Sequence, residues 1–246
     1  MEDLLPGGSR DIDCAASAGR LLERTGNTSP DVLGYGGRGS AGSTYQAVFA
    51  GWYVSVAECW FQITYSQGFG MDNRQLSLEG EGYFEVVHNQ DLPFEIHTHE
   101  VDLRVLGTKF NFKNYSDDEE VTVSLLEGKV ALHNSLKSMS DLYLSPNEKM
   151  VLNKRTGEMV KSRARAENSM LWTNDELFFD EELLEDIAKK LMRSYDVRIE
   201  IADSLKNRRF YGSFKVMGNT IEEVLETIAS TNRMKYRYEN EKYILY

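Results

Sequence analysis

From about residue 75 to 165, apolar and polar positions alternate in short runs, the period of two expected of strands with one buried face. The runs are LSLEGEGYFEVV (76–87), PFEIHT (93–98), VDLRVLG (101–107), KFNFKNY (109–115), VTVSLLEG (121–128), KVALHN (129–134), DLYLS (141–145) and KMVLNK (149–154). Glu127-Gly128, Ser145-Pro146-Asn147 and Thr156-Gly157 punctuate them as turns. This texture predicts a domain of short antiparallel strands. Its inward positions include Phe84, Phe94, Phe110, Phe112, Val121, Val123 and Leu125. Gly80, Gly82, Gly107 and Gly128 fall within or at the ends of these strands, where a turn, a bulge or a close backbone approach suits a residue without Cβ.

After a charged connector around 162–168 the period changes. In DEELLEDIAKKLMRSY, Leu183, Leu184, Ile187, Leu191 and Tyr195 fall at helical spacing, with Asp180 as the expected N-cap. VRIEIA (197–202) and RFYGSFKV (209–216) predict strands, and a second helix is predicted over about 220–231, capped by Asn219 or Thr220. KYRYEN and KYILY close the chain as a hairpin around Glu239-Asn240-Glu241. Residues 1–62, rich in Gly, Ser and Ala, show neither period.

Composition narrows the function. At 41% hydrophobic and 27% charged residues, the chain suits one large or two modest globular domains. A net charge of -11 and a pI near 5.0 argue against nucleic acid and anionic lipid, which that field would repel. Cys14 and Cys59 fit no metal spacing, no run of about 18 apolar residues exists, and the acidic start MEDLLPGGSRD is not an export signal.

His97 and His99 are the candidate metal ligands, because an H-x-H pair on a strand presents both imidazoles on one face. No third ligand is placed by the sequence, and the competing reading is two solvent-facing strand histidines. Acidic runs at 117–120 and 181–182 read as a solvated loop and the first turn of a helix rather than as acid/base machinery. No G-x-S-x-G, phosphate-cradling loop or Cys/His constellation is present, so neither an enzyme nor a cofactor is predicted. Tyr211, Phe214, Tyr236, Tyr238, Tyr243 and Tyr246 could stack bases or sugars; the competing reading makes them core and cross-strand pairs.

GEGYFEV (80–86), PFEI (93–96), VLGTKFNF (105–112), VTVSLLEGKVAL (121–132) and LSPNEKMVLNKRTGE (144–158) resemble, in order and spacing, the periplasmic domain of FecR-type anti-sigma regulators. Trp172, LFFDEELLEDIAKKLMRSYDVRIEI, FYGSFK and TIEEVLETIASTNRMKY resemble the C-terminal domain that Bacteroidetes members append. The likeness covers about 75–246. It implies protein-protein signalling: a periplasmic module, normally anchored in the inner membrane by a transmembrane helix missing here, binds the signalling domain of a TonB-dependent outer-membrane transporter. The signal would reach an extracytoplasmic-function sigma factor through a cytoplasmic segment also missing here. The alternative, from another class, is a carbohydrate-binding β-sandwich module.

The family's domain opens with a pattern close to LPDGTxVWLNAGS, which residues 1–62 lack. Back-translation of GSAGSTYQAVFAGWYVSVAECWF (39–61), read one nucleotide later, permits VPRGARTKLSLPDGTSVWLNAGS. The expected organisation is therefore a disordered or frameshifted segment at 1–62, a FecR-like β-rich domain at 63–165 and a small α+β domain at 170–246. The expected fold is mainly β plus α+β, an antiparallel β-rich domain followed by a two-helix domain. The predicted partner-binding residues are Phe210, Tyr211, Phe214, Tyr236, Tyr238 and Tyr243.

Overall fold

The structure, a computed structural model, describes residues 10–11, 33–35, 44–49, 52–57, 61–65 and 68–246. The reading of 1–62 as disordered or frameshifted falls largely outside them. In chain order the strands are β1 (Arg10–Asp11), β2 (Leu33–Tyr35), β3 (Thr44–Phe49), β4 (Trp52–Ala57), β5 (Gln62–Tyr65), β6 (Arg74–Val86), β7 (Phe94–His97), β8 (Val101–Val105), β9 (Thr108–Asn114) and β10 (Glu120–Glu127). They continue as β11 (Val130–Asn134), β12 (Leu142–Leu144), β13 (Glu148–Asn153), β14 (Met159–Arg163), β15 (Glu176–Leu183), β16 (Ile199–Ile201), β17 (Arg209–Lys215), β18 (Tyr236–Glu239) and β19 (Lys242–Leu245). Two α-helices, α1 (Leu184–Tyr195) and α2 (Ile221–Asn232), lie among the last five strands. The chain divides into two compact units, the first built around residues 68–170 and the second around 171–246.

In the first unit the strands follow the order β12-β11-β8-β7-β6-β9-β10-β13-β14. The long β6 serves two sets of neighbours: residues 76–79 pair with β5, whereas 80–86 pair with β9 and 82–86 with β4. Gly80, at φ 114°, stands where the pairing changes. Alternation along β6, β7, β9 and β10 delivers Phe84, Phe94, Phe110, Phe112, Val121, Val123 and Leu125 to the interior, all fully buried. Phe84 stacks on Phe110 at 5.1 Å, and Phe94 lies 5.8 and 6.5 Å from the two rings.

Gly128 has φ 92°, and a Cβ there would stand 2.6 Å from the Gly107 carbonyl oxygen; one on Gly107 would meet the His88 Cα at 2.5 Å. Both glycines are therefore demanded by backbone approach, without any ligand.

The expectation of an antiparallel sheet in the β-rich domain is corrected. β6 and β7 run parallel, with Arg74 opposite Phe94, and β16 and β19 are also parallel. The first case has a visible cause. The Arg74 guanidinium, buried at the start of β6, donates to the carbonyls of Leu92 (2.7 Å), Val87 (3.0 Å) and Asn89 (3.4 Å). Both ends of β6 thus lie close together, and the 87–93 loop can bring β7 alongside the strand's beginning.

In the second unit β15 pairs with β17, and β19 lies between β16 and β18. α1 buries Leu184, Ile187, Ala188 and Leu191, and α2 buries Ile221, Val224, Leu225 and Ile228. Residue for residue, α2 repeats α1 37 positions later: each has 12 residues and ends on a left-handed cap, Asp196 or Arg233. The expected Asp180 N-cap is overturned, because β15 continues through Leu183, whose side chain caps nothing. The Thr220 cap holds: its hydroxyl accepts from the Glu223 N–H, and the Glu223 carboxylate accepts from the Thr220 N–H. The two-helix expectation also misses the 3-10 segments Ala166–Asn174 and Val216–Gly218. The first carries no apolar stripe and buries only Ala166.

Candidate protein-docking site

The hairpin of β18 and β19 turns on Asn240 and Glu241, both at positive φ (53° and 59°), the conformation of a two-residue primed turn. Lys235 and Tyr246 exchange both backbone hydrogen bonds at 2.9 Å. In an antiparallel ladder such exchange recurs at every second residue, so the N–H and C=O groups of Tyr236 and Tyr238 point away from β19. Among the described residues β18 pairs with no other strand, and these groups form a sheet edge.

Inside that edge three tyrosines gather. The Tyr243 ring lies 4.8 Å from Tyr238 and 6.4 Å from Tyr236, and the Tyr243 hydroxyl donates to the Glu222 carboxylate in the first turn of α2. Tyr236 donates to the Glu222 carbonyl at 3.5 Å. Burial, then the bond to Glu222, pushes the Tyr243 phenol up to about 12. The same bond is the main cause holding the Glu222 carboxyl below its usual range.

The six predicted partner-binding residues separate by depth. Phe210 and Tyr243 are core, Phe214 and Tyr236 are half-buried, and Tyr211 and Tyr238 remain 62% and 63% exposed. Phe210 and Phe214 stack at 6.0 Å with Phe179 beside both, whereas Tyr211 meets Phe178 edge-on at 5.8 Å. Sequence reasoning missed the exposed cations next to the edge, Arg233, Lys235 and Arg237. Their spacing of two, alternating with Met234, Tyr236 and Tyr238, was the available signal.

His97 and His99 do not share a strand. β7 ends at His97, and His99 lies in the turn before β8. The His97 Nδ1 is 2.9 Å from Asp102 Oδ1, and the His99 Nδ1 is 3.7 Å from Glu100 Oε1. Among the described residues no three His, Cys, Asp or Glu side chains converge as a metal would require. Both histidines border an open groove of about 480 Å³, together with Thr64, Ser77, Glu79, Asn114 and Lys154. Lys154 donates to the Tyr115 carbonyl at 2.5 Å, and burial pulls its ammonium below the usual lysine range. Among the described residues no Phe, Tyr or Trp lines the groove, so the only rings it presents are the imidazoles of His97 and His99.

Two family models match the chain: FecR protein over residues 60–131, and FecR, C-terminal, over residues 176–245. Two crystal structures of a candidate anti-sigma factor from Parabacteroides distasonis ATCC 8503 share the fold, with TM-scores of 0.76 and 0.75. Each is 28% identical to this chain, covering 84% of this chain and 95% of that one. No curated protein matches it significantly. With both of the family's domains matched in order, and with the β-rich and α+β architecture that carries them, the chain belongs to the FecR family.

Proposed function

We propose that this chain is the periplasmic, non-enzymatic portion of a sigma-factor regulator, and that its C-terminal unit receives the signalling domain of a TonB-dependent outer-membrane transporter. Family membership and the likeness to a candidate anti-sigma factor support the regulator role. A transmembrane helix outside this sequence would anchor the module in the inner membrane, and a cytoplasmic segment would pass the signal to an extracytoplasmic-function sigma factor. No helix among the described residues is long and apolar enough to cross a membrane.

The observation that carries the docking reading is the β18 edge, with exposed Tyr238 and the outward backbone groups of Tyr236 and Tyr238. Such an edge accepts an extended segment through main-chain hydrogen bonds, and the alternating side chains select it. Deleting 240–246 would also remove core residues Tyr243 and Leu245, so a point substitution is the cleaner test. Tyr238→Pro removes one outward N–H at an edge position, where proline is tolerated. Pull-down of the neighbouring transporter's periplasmic segment should weaken at least about tenfold. Undiminished capture would refute the edge, and no capture by the wild-type chain would refute the docking reading.

A further inference from the structure

The chemistry of the accepted strand can be read from the side chains along the same edge, and this step rests on the docking reading above. Tyr236 and Tyr238 stand at positions where an added antiparallel strand exchanges backbone hydrogen bonds. Lys235 and Arg237 then stand at non-hydrogen-bonded positions, where facing side chains approach most closely, with Cβ atoms about 4.5–5.5 Å apart. Whatever lies opposite them on the incoming strand is selected mainly by charge.

That charge is positive in a chain whose net charge is -11. Arg233 and Lys235 have no carboxylate partner among the described residues. Arg237 pairs with Glu239 at 2.8 Å and lies 5.0 Å from the Tyr246 ring, a stacking that leaves its guanidinium at the surface. Glu200 on β16 accepts from Lys242 on β19. Free cations therefore concentrate where β18 begins.

We infer that the segment accepted at β18 is an extended acidic strand. Its carboxylates face Lys235 and Arg237, and the apolar side chains between them lie over Tyr236 and Tyr238. Self-pairing of two copies centred on Tyr236 would set Lys235 against Arg237 and is disfavoured, whereas centring on Tyr238 would set Arg237 against Glu239, so a dimer is an outcome the test must separate.

The test uses the full chain, labelled with ¹⁵N, and two synthetic peptides, one alternating valine with glutamate and one alternating valine with lysine. The glutamate peptide should shift the Tyr236 and Tyr238 amide resonances, with affinity falling about tenfold between low and high salt. The lysine peptide should leave them in place. Lys235→Glu and Arg237→Glu, each checked for an unchanged thermal midpoint, should weaken the glutamate peptide about tenfold and admit the lysine peptide. Equal response to both peptides, shifts at β17 instead, or a dimer by sedimentation with β18 protected would overturn the inference. A transporter segment captured equally by wild-type and Arg237→Glu chains would sink this inference and leave the docking reading standing. Loss of capture by Tyr238→Pro but by neither charge variant would likewise sink this inference, since the charges at Lys235 and Arg237 would then select nothing.

Discussion

The Tyr243 hydroxyl donates to the Glu222 carboxylate, tying the last strand of the C-terminal unit to the first turn of its second helix. Because this bond needs a protonated phenol and an ionised carboxyl, it makes the hairpin's stability depend on pH at both ends.

The signs follow from the two shifts. Glu222 is held below its ordinary 4.5, so its contribution is present above that pH and is lost as pH falls through the folded value. Tyr243 is raised from 10.0 to about 12, so its contribution is present below pH 10 and is lost as pH rises toward 12. Tyr243→Phe should cost about 1 kcal/mol at neutral pH, a figure reduced for the solvent around Glu222, and should flatten both limbs. Urea unfolding followed by circular dichroism from pH 3 to 11 checks it; an unchanged pH profile would contradict the assignment.

Arg74 should be the costliest surface-to-core charge to remove from the β-rich unit. Arg74→Met keeps the apolar stem but strips the donors from the carbonyls of Val87, Asn89 and Leu92, at a cost of about 2 kcal/mol. Arg74→Lys should recover only part, since one ammonium cannot span the three acceptors as the planar fork does. Hydrogen exchange should show 87–93 opening in both variants, and wild-type protection of that loop in Arg74→Met would refute the role.

Gly128→Ala should destabilise the same unit by about 2 kcal/mol, because it combines a left-handed φ with a methyl group 2.6 Å from the Gly107 carbonyl oxygen. Gly157→Ala is the comparison: its φ of 66° lies within the left-handed region and its nearest neighbour is the Leu136 Cβ at 3.3 Å, so both conformation and space are easier there. Thermal midpoints should fall further for Gly128→Ala. Equal losses would contradict a special demand for glycine at 128.

For residues 39–61 the prediction is a matter of codons. Read one nucleotide later, they should spell VPRGARTKLSLPDGTSVWLNAGS, the opening motif of the family's domain. Trp52-Tyr53 and Trp60-Phe61 each force a glycine in that frame, and both glycines fall where the motif has them. The match to the FecR model begins at residue 60, beside Gln62, where the frame would return. Nucleotide sequencing of this stretch decides it, and any codon choice that breaks the motif ends the idea.

Much of the β-rich unit was legible because its strands are half-buried, and half-burial writes a period of two. All seven inward residues named from β6, β7, β9 and β10 are in the core. β14 escaped notice because four of its five residues are exposed; backbone pairing to β13 alone makes it a strand. β15 was read partly as a helix start, since Asp180, Glu181 and Glu182 suit a first turn, yet its bulge between Phe179 and Glu182 keeps the chain extended against β17.

The order of residues was enough to mark most strands of the β-rich unit and both α-helices, the inward side chains of β6, β7, β9 and β10, and the family the chain resembles. These are properties of neighbours within a few positions. Tertiary structure alone decided that β7 runs parallel to β6, that His99 leaves the strand carrying His97, and that Phe210 and Tyr243 are core while Tyr211 and Tyr238 face solvent. Each of those outcomes depends on groups distant in sequence, such as Arg74 reaching Leu92 or Glu222 meeting Tyr243, and no local period records such a meeting.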